Sequence, residues 1–131
     1  MKGDHTAPAT TDPVTLEICW SRLIGVVNEQ AAALQRTSFT SIVREAGDLS
    51  AGVFDRRGLM VAQAVTGTPG HINSMALAIK HFLAACPPDT LKPGDVLITN
   101  APWLSSGHLN AVTIATPIFR GEELVAFFAS T

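Results

Sequence analysis

Two apolar segments near the end of the chain, separated by a short polar turn, constrain its fold most strongly. Residues 112–119 and 124–129 are rich in Val, Ile, Phe and Ala, and the turn Arg120-Gly121-Glu122-Glu123 lies between them. β-branched and aromatic residues favour strands, and a short Gly-containing connection between two such segments is typical of a β-hairpin. We therefore predict a hairpin that ends close to Thr131.

Helical periodicity predicts two amphipathic helices elsewhere in the chain. Asp12 and Pro13 mark the start of the first, because Asp is a favourable N-cap and Pro is favoured at the first helical position. Apolar residues recur at helical spacing from Leu16 onward, so the helix is expected to end at about Thr37 or a few residues later. A second helix is predicted over roughly residues 73–85.

The remaining β-type segments complete an α+β pattern. The cluster Thr66-Gly67-Thr68-Pro69-Gly70 predicts a loop before the second helix. A first hairpin and a single short strand are predicted over residues 49–54, 59–63 and 96–99. The resulting order predicts an α+β fold in which the two helices pack on mostly antiparallel strands and hairpins.

Composition limits the kinds of partner. The chain has 131 residues, 47% of them apolar and only 15% charged. Such a chain can bury a core, but it has few charges for a complete surface, which favours contact with a partner or with further protein. The last strand is expected to continue into more protein beyond Thr131, in the same chain or in a tightly bound one, because an uncovered strand promotes aggregation.

Several classes of protein are disfavoured by the same counts. The net charge of −2 argues against nucleic acid as a partner, since nucleic-acid binding needs a clustered basic surface. No apolar segment approaches the ~20 residues of a membrane span, and residues 1–11 predict a flexible leader rather than a signal peptide. Cys19 and Cys86 favour two reduced core thiols of a cytoplasmic protein, although a disulfide between them stays open.

A turn-rich loop with one histidine, Asn100–Ala111, lies between two β-type segments. Loops held by rigid strands are where binding and catalytic groups are concentrated. We therefore regard this loop as the first candidate for a functional site.

Six motifs, found in family order along the chain, resemble the hydantoinase B/oxoprolinase family. They cover residues 12–18, 34–39, 44–50, 53–58, 67–75 and 92–96. Members of that family are much longer, so residues 12–131 resemble only their N-terminal portion. The resemblance therefore implies a segment that is truncated or split from a larger B-type subunit.

The resemblance implies a component of an ATP-dependent enzyme that acts on cyclic amides such as hydantoins, oxoproline or lactams. A partner resembling hydantoinase A would use ATP, and the B-type subunit would supply a metal-assisted hydrolytic step within a hetero-oligomer. Two alternatives remain open: a subunit of a related ketone carboxylase, and a non-catalytic structural or assembly subunit. Any catalysis is expected to need the remaining B-type chain.

The loop departs from the family where a metal is expected. The family pattern is Asn-Asp-Pro, an aromatic residue, small residues and His-Leu-x-Asp, and His108 corresponds to its metal-binding histidine. The two acid positions are Ala101 and Ala111, which offer no side-chain oxygen. One histidine does not make a site for Mn, Zn or Fe, because catalytic zinc-type sites need three or four ligands. If His108 were a ligand, Asn100 or Asn110 could orient its second ring nitrogen. The alternative is a loop histidine that is hydrogen-bonded to the backbone.

Five residues are candidates for substrate binding. His71 could meet a substrate anion at the start of the second helix, or could bond locally there. Asn100 matches the family loop. Arg36 could hold a carboxylate in a bidentate pair, or could connect the helix end to Glu45. Glu45 and Asp48 could do acid–base work, whereas Asp48 is also a good cap or turn former.

Overall fold

The structure, a computed structural model, describes residues 11–131. The first helix, α1, spans Pro13–Thr37, as the sequence predicts. Asp12 caps it, since its carboxylate accepts a hydrogen bond from the backbone N–H of Thr15 at 3.1 Å. The leader predicted over residues 1–11 lies, apart from Thr11, outside the described residues.

A short helix that is absent from the sequence predictions, α2, spans Ser41–Ala46. The Thr40 hydroxyl caps its start by accepting from the Val43 N–H at 3.2 Å. Gly47 ends it in the left-handed conformation, with φ of +66°. A Thr cap and a Gly terminator are ordinary helix signals. Here they lie so close together that the segment between them resembles a turn in sequence.

The third helix, α3, spans Pro69–Ala85 and begins four residues before its predicted start. The prediction of a loop over the whole Thr66–Gly70 cluster is therefore wrong. Pro69 occupies the first helical position, where its missing N–H and fixed φ cost nothing. Because of this earlier start, His71 lies inside the first turn of α3 rather than before it.

Five strands form one sheet in the order β2-β1-β5-β4-β3, and every neighbouring pair is antiparallel. This arrangement confirms the predicted α+β fold and both hairpins. The strands are β1 Ala51–Asp55, β2 Met60–Gln63, β3 Leu97–Thr99, β4 Thr113–Arg120 and β5 Glu123–Ser130.

The two long helices cover opposite faces of the sheet. Val53 in β1 packs in the cluster that includes Val27 of α1, whereas Phe54 packs with Met75 of α3. Successive strand residues point to opposite faces. The core therefore has two layers, with Phe127 of β5 fully buried on the α3 side.

Only the second half of α1 is buried against this sheet. Val27 and Ala31 are the buried residues of the helix, and Leu16, Ile18 and Trp20 in its first half are about half exposed. The apolar face predicted from Leu16 onward is therefore buried only in part. Cys19 is exposed as well, so the prediction that it is a core thiol is wrong.

The length of α1 does not make it a membrane span. The helix has 25 residues, but charged residues such as Arg22 and Glu29 interrupt its apolar sequence. Across residues 11–131, no helix combines the length and the apolar character that crossing a bilayer demands.

Candidate active-site cavity

A cavity of about 600 Å³ lies where α1 ends, α3 begins and the loop before β4 meets the sheet. Most of its wall area is apolar, and two histidines and one carboxylate interrupt it. A cavity of this size with a few convergent polar groups is typical of a small-molecule site. Its lining residues are Leu34, Thr37, Ser38, Thr40, Ile42, Val43, Asp48, Leu49, His71, His108, Asn110, Ala111, Val112, Ile114, Ser130 and Thr131.

Asp48 and His71 meet at one side of this cavity. The Nδ1 atom of His71 lies 3.6 Å from Oδ1 of Asp48, and the His71 side chain is only 13% exposed. That Nδ1 is buried and has no hydrogen-bond partner among the described residues. The Thr68 hydroxyl donates to the same Asp48 oxygen at 2.6 Å. Thr68 thereby fixes the carboxylate beside the imidazole.

His108 approaches His71 from the loop that precedes β4. The two ring centroids are 6.4 Å apart, with the ring planes tilted by 55°. The backbone N–H of Ala111 donates to Nδ1 of His108 at 3.3 Å. This backbone amide takes the place of Asn100 or Asn110, the orienting groups expected from the sequence. The contact agrees with the alternative in which His108 is a loop histidine bonded to the backbone, although the sequence does not identify the donor, because any residue other than Pro supplies an N–H.

A chain of hydroxyl groups anchors the same loop to the sheet. Buried Ser105 hydrogen-bonds the side chain of Thr113, the first residue of β4. Thr113 in turn hydrogen-bonds Thr131 at 2.8 Å, side chain to side chain. These contacts are absent from the sequence predictions. The sequence feature that could have predicted the second contact is the pair Thr113 and Thr131, because the register of the predicted hairpin brings its two ends together.

Three of the predicted site residues lie outside the cavity wall. The side-chain amide of Asn100 donates a hydrogen bond to the carbonyl of Leu109 at 3.3 Å, which connects two ends of the same loop. Arg36 is exposed near the end of α1. Glu45 contacts Arg44 at 3.4 Å, so the alternative in which Arg36 pairs with Glu45 is wrong. Substrate binding by Asn100, Arg36 and Glu45 stays a prediction.

The donor set of the cavity does not fit a divalent metal by itself. Within residues 11–131, no three His, Cys, Asp or Glu side chains are grouped so that they could hold a metal ion. Ala101 and Ala111 occupy the positions where the family pattern has acids. Nδ1 of His108 is already engaged by a backbone N–H. The groups of this cavity that can take part in acid–base chemistry or hydrogen bonding are therefore two imidazoles and one carboxylate.

Comparison with known proteins places the whole described chain in one family. A family model described as hydantoinase B/oxoprolinase matches residues 12–131. The 5-oxoprolinase of Saccharomyces cerevisiae is 38% identical over 120 residues, which are 91% of this chain and 9% of that protein. A Pseudomonas protein named as a candidate B-type component of a D-/L-hydantoinase is 30% identical over 134 residues, covering 100% of this chain and 22% of its own length. The chain thus spans between 9% and 22% of the length of these two relatives.

Solved structures with the same fold agree with this placement. The ATP-dependent caprolactamase of Pseudomonas jessenii superposes with a TM-score of 0.76 and 27% identity, over 92% of this chain and 21% of the other. Acetone carboxylase superposes with a TM-score of 0.80 at 22% identity, over 92% and 16%, a likeness that shows the fold alone. From the family-model match and these relatives, the chain belongs to the hydantoinase B/oxoprolinase family.

Proposed function

We propose that this chain is part of the B-type component of an ATP-dependent enzyme that hydrolyses cyclic amides, and that the 600 Å³ cavity binds the amide. Relatives named as a 5-oxoprolinase and as a hydantoinase component, and a structural neighbour named caprolactamase, support this substrate class. The likeness to acetone carboxylase concerns the fold alone, so it does not favour the ketone carboxylase alternative.

The observation that carries this proposal is the pairing of two imidazoles with an apolar wall. A lactam or hydantoin has an apolar ring and one polar edge. Leu34, Val43 and Ile114 line the cavity on the apolar side, and His71 and His108 supply ring nitrogens for the polar edge. Both rings lie on the cavity wall with their centroids 6.4 Å apart, so one small ligand in the cavity is within reach of both.

Complete turnover is proposed to need two further parts of the enzyme. ATP would be handled by a hydantoinase A-like partner, and the remainder of a B-type chain would complete the active site within a hetero-oligomer. Leu16 and Trp20, one turn apart on α1 and about half exposed, support contact with such a partner, because exposed apolar residues that lie side by side mark interaction surfaces. Any metal-assisted step would need donors from that remainder, since the described residues do not group three ligands.

Reconstitution tests this proposal directly. The chain is mixed with a hydantoinase A-like subunit, the remaining B-type chain and ATP, and release of the amino acid from caprolactam, 5-oxoproline or a hydantoin is measured. We expect hydrolysis that depends on this chain and falls strongly in the variant His71→Gln. The control His81→Gln lies on the same helix, but His81 does not line the cavity, and it should keep full activity.

A second candidate function, a non-catalytic assembly subunit, is favoured by Ala101 and Ala111. These residues remove both acids from the loop while the fold and its exposed α1 surface are kept. In that case the reconstituted enzyme would need this chain for assembly, and His71→Gln would be as active as His81→Gln. Equal activity of the two variants would therefore decide for the assembly role and against a substrate site.

A further inference from the structure

We propose that His108 and His71 recognise the two sides of a cis-amide edge, His108 as a hydrogen-bond donor through Nε2 and His71 as an acceptor through Nε2. This inference rests on the proposed function and assigns roles within its site. It requires the two neutral imidazoles to be opposite tautomers. A different neighbour in the fold sets each tautomer.

The tautomer of His108 follows from its contact with the backbone. The Ala111 N–H donates to Nδ1 of His108 at 3.3 Å, so Nδ1 must carry the lone pair. In a neutral imidazole the proton then lies on Nε2, because the partner of one ring nitrogen decides the state of the other. His108 therefore offers an N–H donor, which matches a carbonyl oxygen. The same tautomer does not suit metal coordination through Nε2, which requires the lone pair there.

The tautomer of His71 follows from the carboxylate beside it. Nδ1 of His71 is buried and faces Oδ1 of Asp48 at 3.6 Å. A carboxylate can only accept hydrogen bonds, so a lone pair on Nδ1 would face negative charge with no donor, whereas a proton there is attracted to it. Thr68 holds Asp48 in place from the other side. The neutral ring is therefore protonated on Nδ1, and its Nε2 is an acceptor.

A small-ring amide presents the complementary pair of groups. Ring closure forces the amide to be cis, so the C=O and the N–H lie on the same edge of the molecule. In a trans amide, the usual form in a polypeptide, they point in opposite directions. One donor and one acceptor on two neighbouring imidazoles of the same cavity wall therefore select lactams and hydantoins over linear peptides. The apolar wall that includes Leu34 and Ile114 contacts the rest of the ring.

The experiment has two measurements on the chain as it exists. Long-range ¹H–¹⁵N NMR spectra of the ligand-free, uniformly ¹⁵N-labelled protein at neutral to alkaline pH show which nitrogen of each imidazole is protonated. Titration calorimetry or NMR titration then compares caprolactam with N-methylcaprolactam, which keeps the C=O but lacks the N–H. We expect Nε2–H for His108 and Nδ1–H for His71. We also expect N-methylation to weaken binding by about 3- to 10-fold, the worth of one hydrogen bond.

Variants separate the two histidines. His108→Gln keeps an N–H donor at about the distance of Nε2 and should bind caprolactam better than His108→Leu. In His71→Leu the preference for caprolactam over the N-methyl compound should disappear, while His81→Leu should leave it unchanged.

The possible outcomes distinguish the inference from the proposed function. If either histidine is the opposite tautomer while caprolactam binds, only the inference is overturned. Equal binding of the two lactams by the unmodified chain overturns it as well. If both tautomers are as expected and neither lactam binds the chain or its reconstituted complex, the cyclic-amide function fails, and the amide-recognition role fails with it.

Discussion

Thr113 and Thr131 hydrogen-bond each other through their side-chain oxygens at 2.8 Å, which connects the start of β4 to the residue that follows β5. Ser105, in the loop that carries His108, joins the same chain through Thr113. Thr113 is fully buried, so its hydroxyl has these protein partners and not water. The position of the histidine loop therefore depends on a buried polar contact at the start of β4.

The variant Thr113→Val tests the importance of this contact. Val has almost the same shape as Thr but leaves the buried Ser105 hydroxyl without its partner. An unsatisfied buried polar group costs about 1–3 kcal/mol, so the free energy of unfolding in urea should fall by that amount. Thr116→Val, at an exposed position of the same strand, is the control and should change stability by less than about 0.5 kcal/mol. Equal effects of the two substitutions would show that the hydroxyl chain contributes nothing.

Gly58, in the turn between β1 and β2, supplies a second prediction. Its φ is +80°, and a Cβ at this position would lie 2.9 Å from Leu83 Cδ1 and 3.0 Å from Ile79 Cγ2. Gly58→Ala therefore combines left-handed strain of about 1–2 kcal/mol with crowding against α3. We expect a loss of unfolding free energy larger than the strain alone.

Gly121→Ala is the matched control for Gly58→Ala. Gly121 also has a positive φ, +64°, but no atom lies within 4 Å of the position that an added Cβ would take. This variant should show the strain without the crowding. If both glycine variants lose the same stability in thermal or urea unfolding, the close approach of α3 to the turn has no energetic effect.

Much of this fold could be predicted from periodicity and turn residues, because those signals are local. The helix that starts after Asp12 and the hairpin around Gly121 are set by neighbours in sequence. The site depends on contacts between distant segments, such as Asp48 with Thr68 and His71. Residues identified from family motifs, namely His71, His108 and Asp48, do converge on one cavity. A backbone hydrogen bond to His108 is one of the two alternatives predicted for this residue, but its donor, the Ala111 N–H, depends on the loop conformation and not on a side chain.

Asp55 provides a pH-dependent prediction away from the cavity. Partial burial by itself raises the pKa of Asp55, but hydrogen bonds from the Leu59 and Arg57 backbone N–H groups and from the Arg57 side chain outweigh it and lower the pKa. A carboxyl whose pKa is lower in the folded than in the unfolded state stabilises the fold at pH values above its unfolded-state pKa of about 4. This stabilisation is lost as the pH falls through the folded-state pKa.

Asp55→Asn should therefore be less stable than the unmodified chain at pH 7. The difference in unfolding free energy should shrink as the pH falls below about 4. It should be small, since the Arg57 side chain that pairs with Asp55 is largely exposed and surface ion pairs are weak. Urea unfolding at several pH values measures it. A difference that stays constant from pH 7 to pH 3 would mean that the charge of Asp55 does not stabilise the turn.

Restoring the two acids of the loop tests its relation to the family's metal site. Ala101→Asp with Ala111→Asp would add two charged oxygen donors to the loop that carries His108, and hard divalent ions bind through several oxygens. We expect the affinity for Mn²⁺ or Zn²⁺, measured by titration calorimetry, to rise by about tenfold or more. The backbone N–H of residue 111 is still present in the Asp variant and can still donate to His108 Nδ1, so metal binding must compete with this hydrogen bond.

The control is the double variant Ala101→Asn with Ala111→Asn, which has nearly the same shape as the Asp variant but lacks the charges. If the Asp variant binds metal no better than the Asn variant, the loop geometry differs from that of a metal site, and recognition by the two imidazoles alone is favoured.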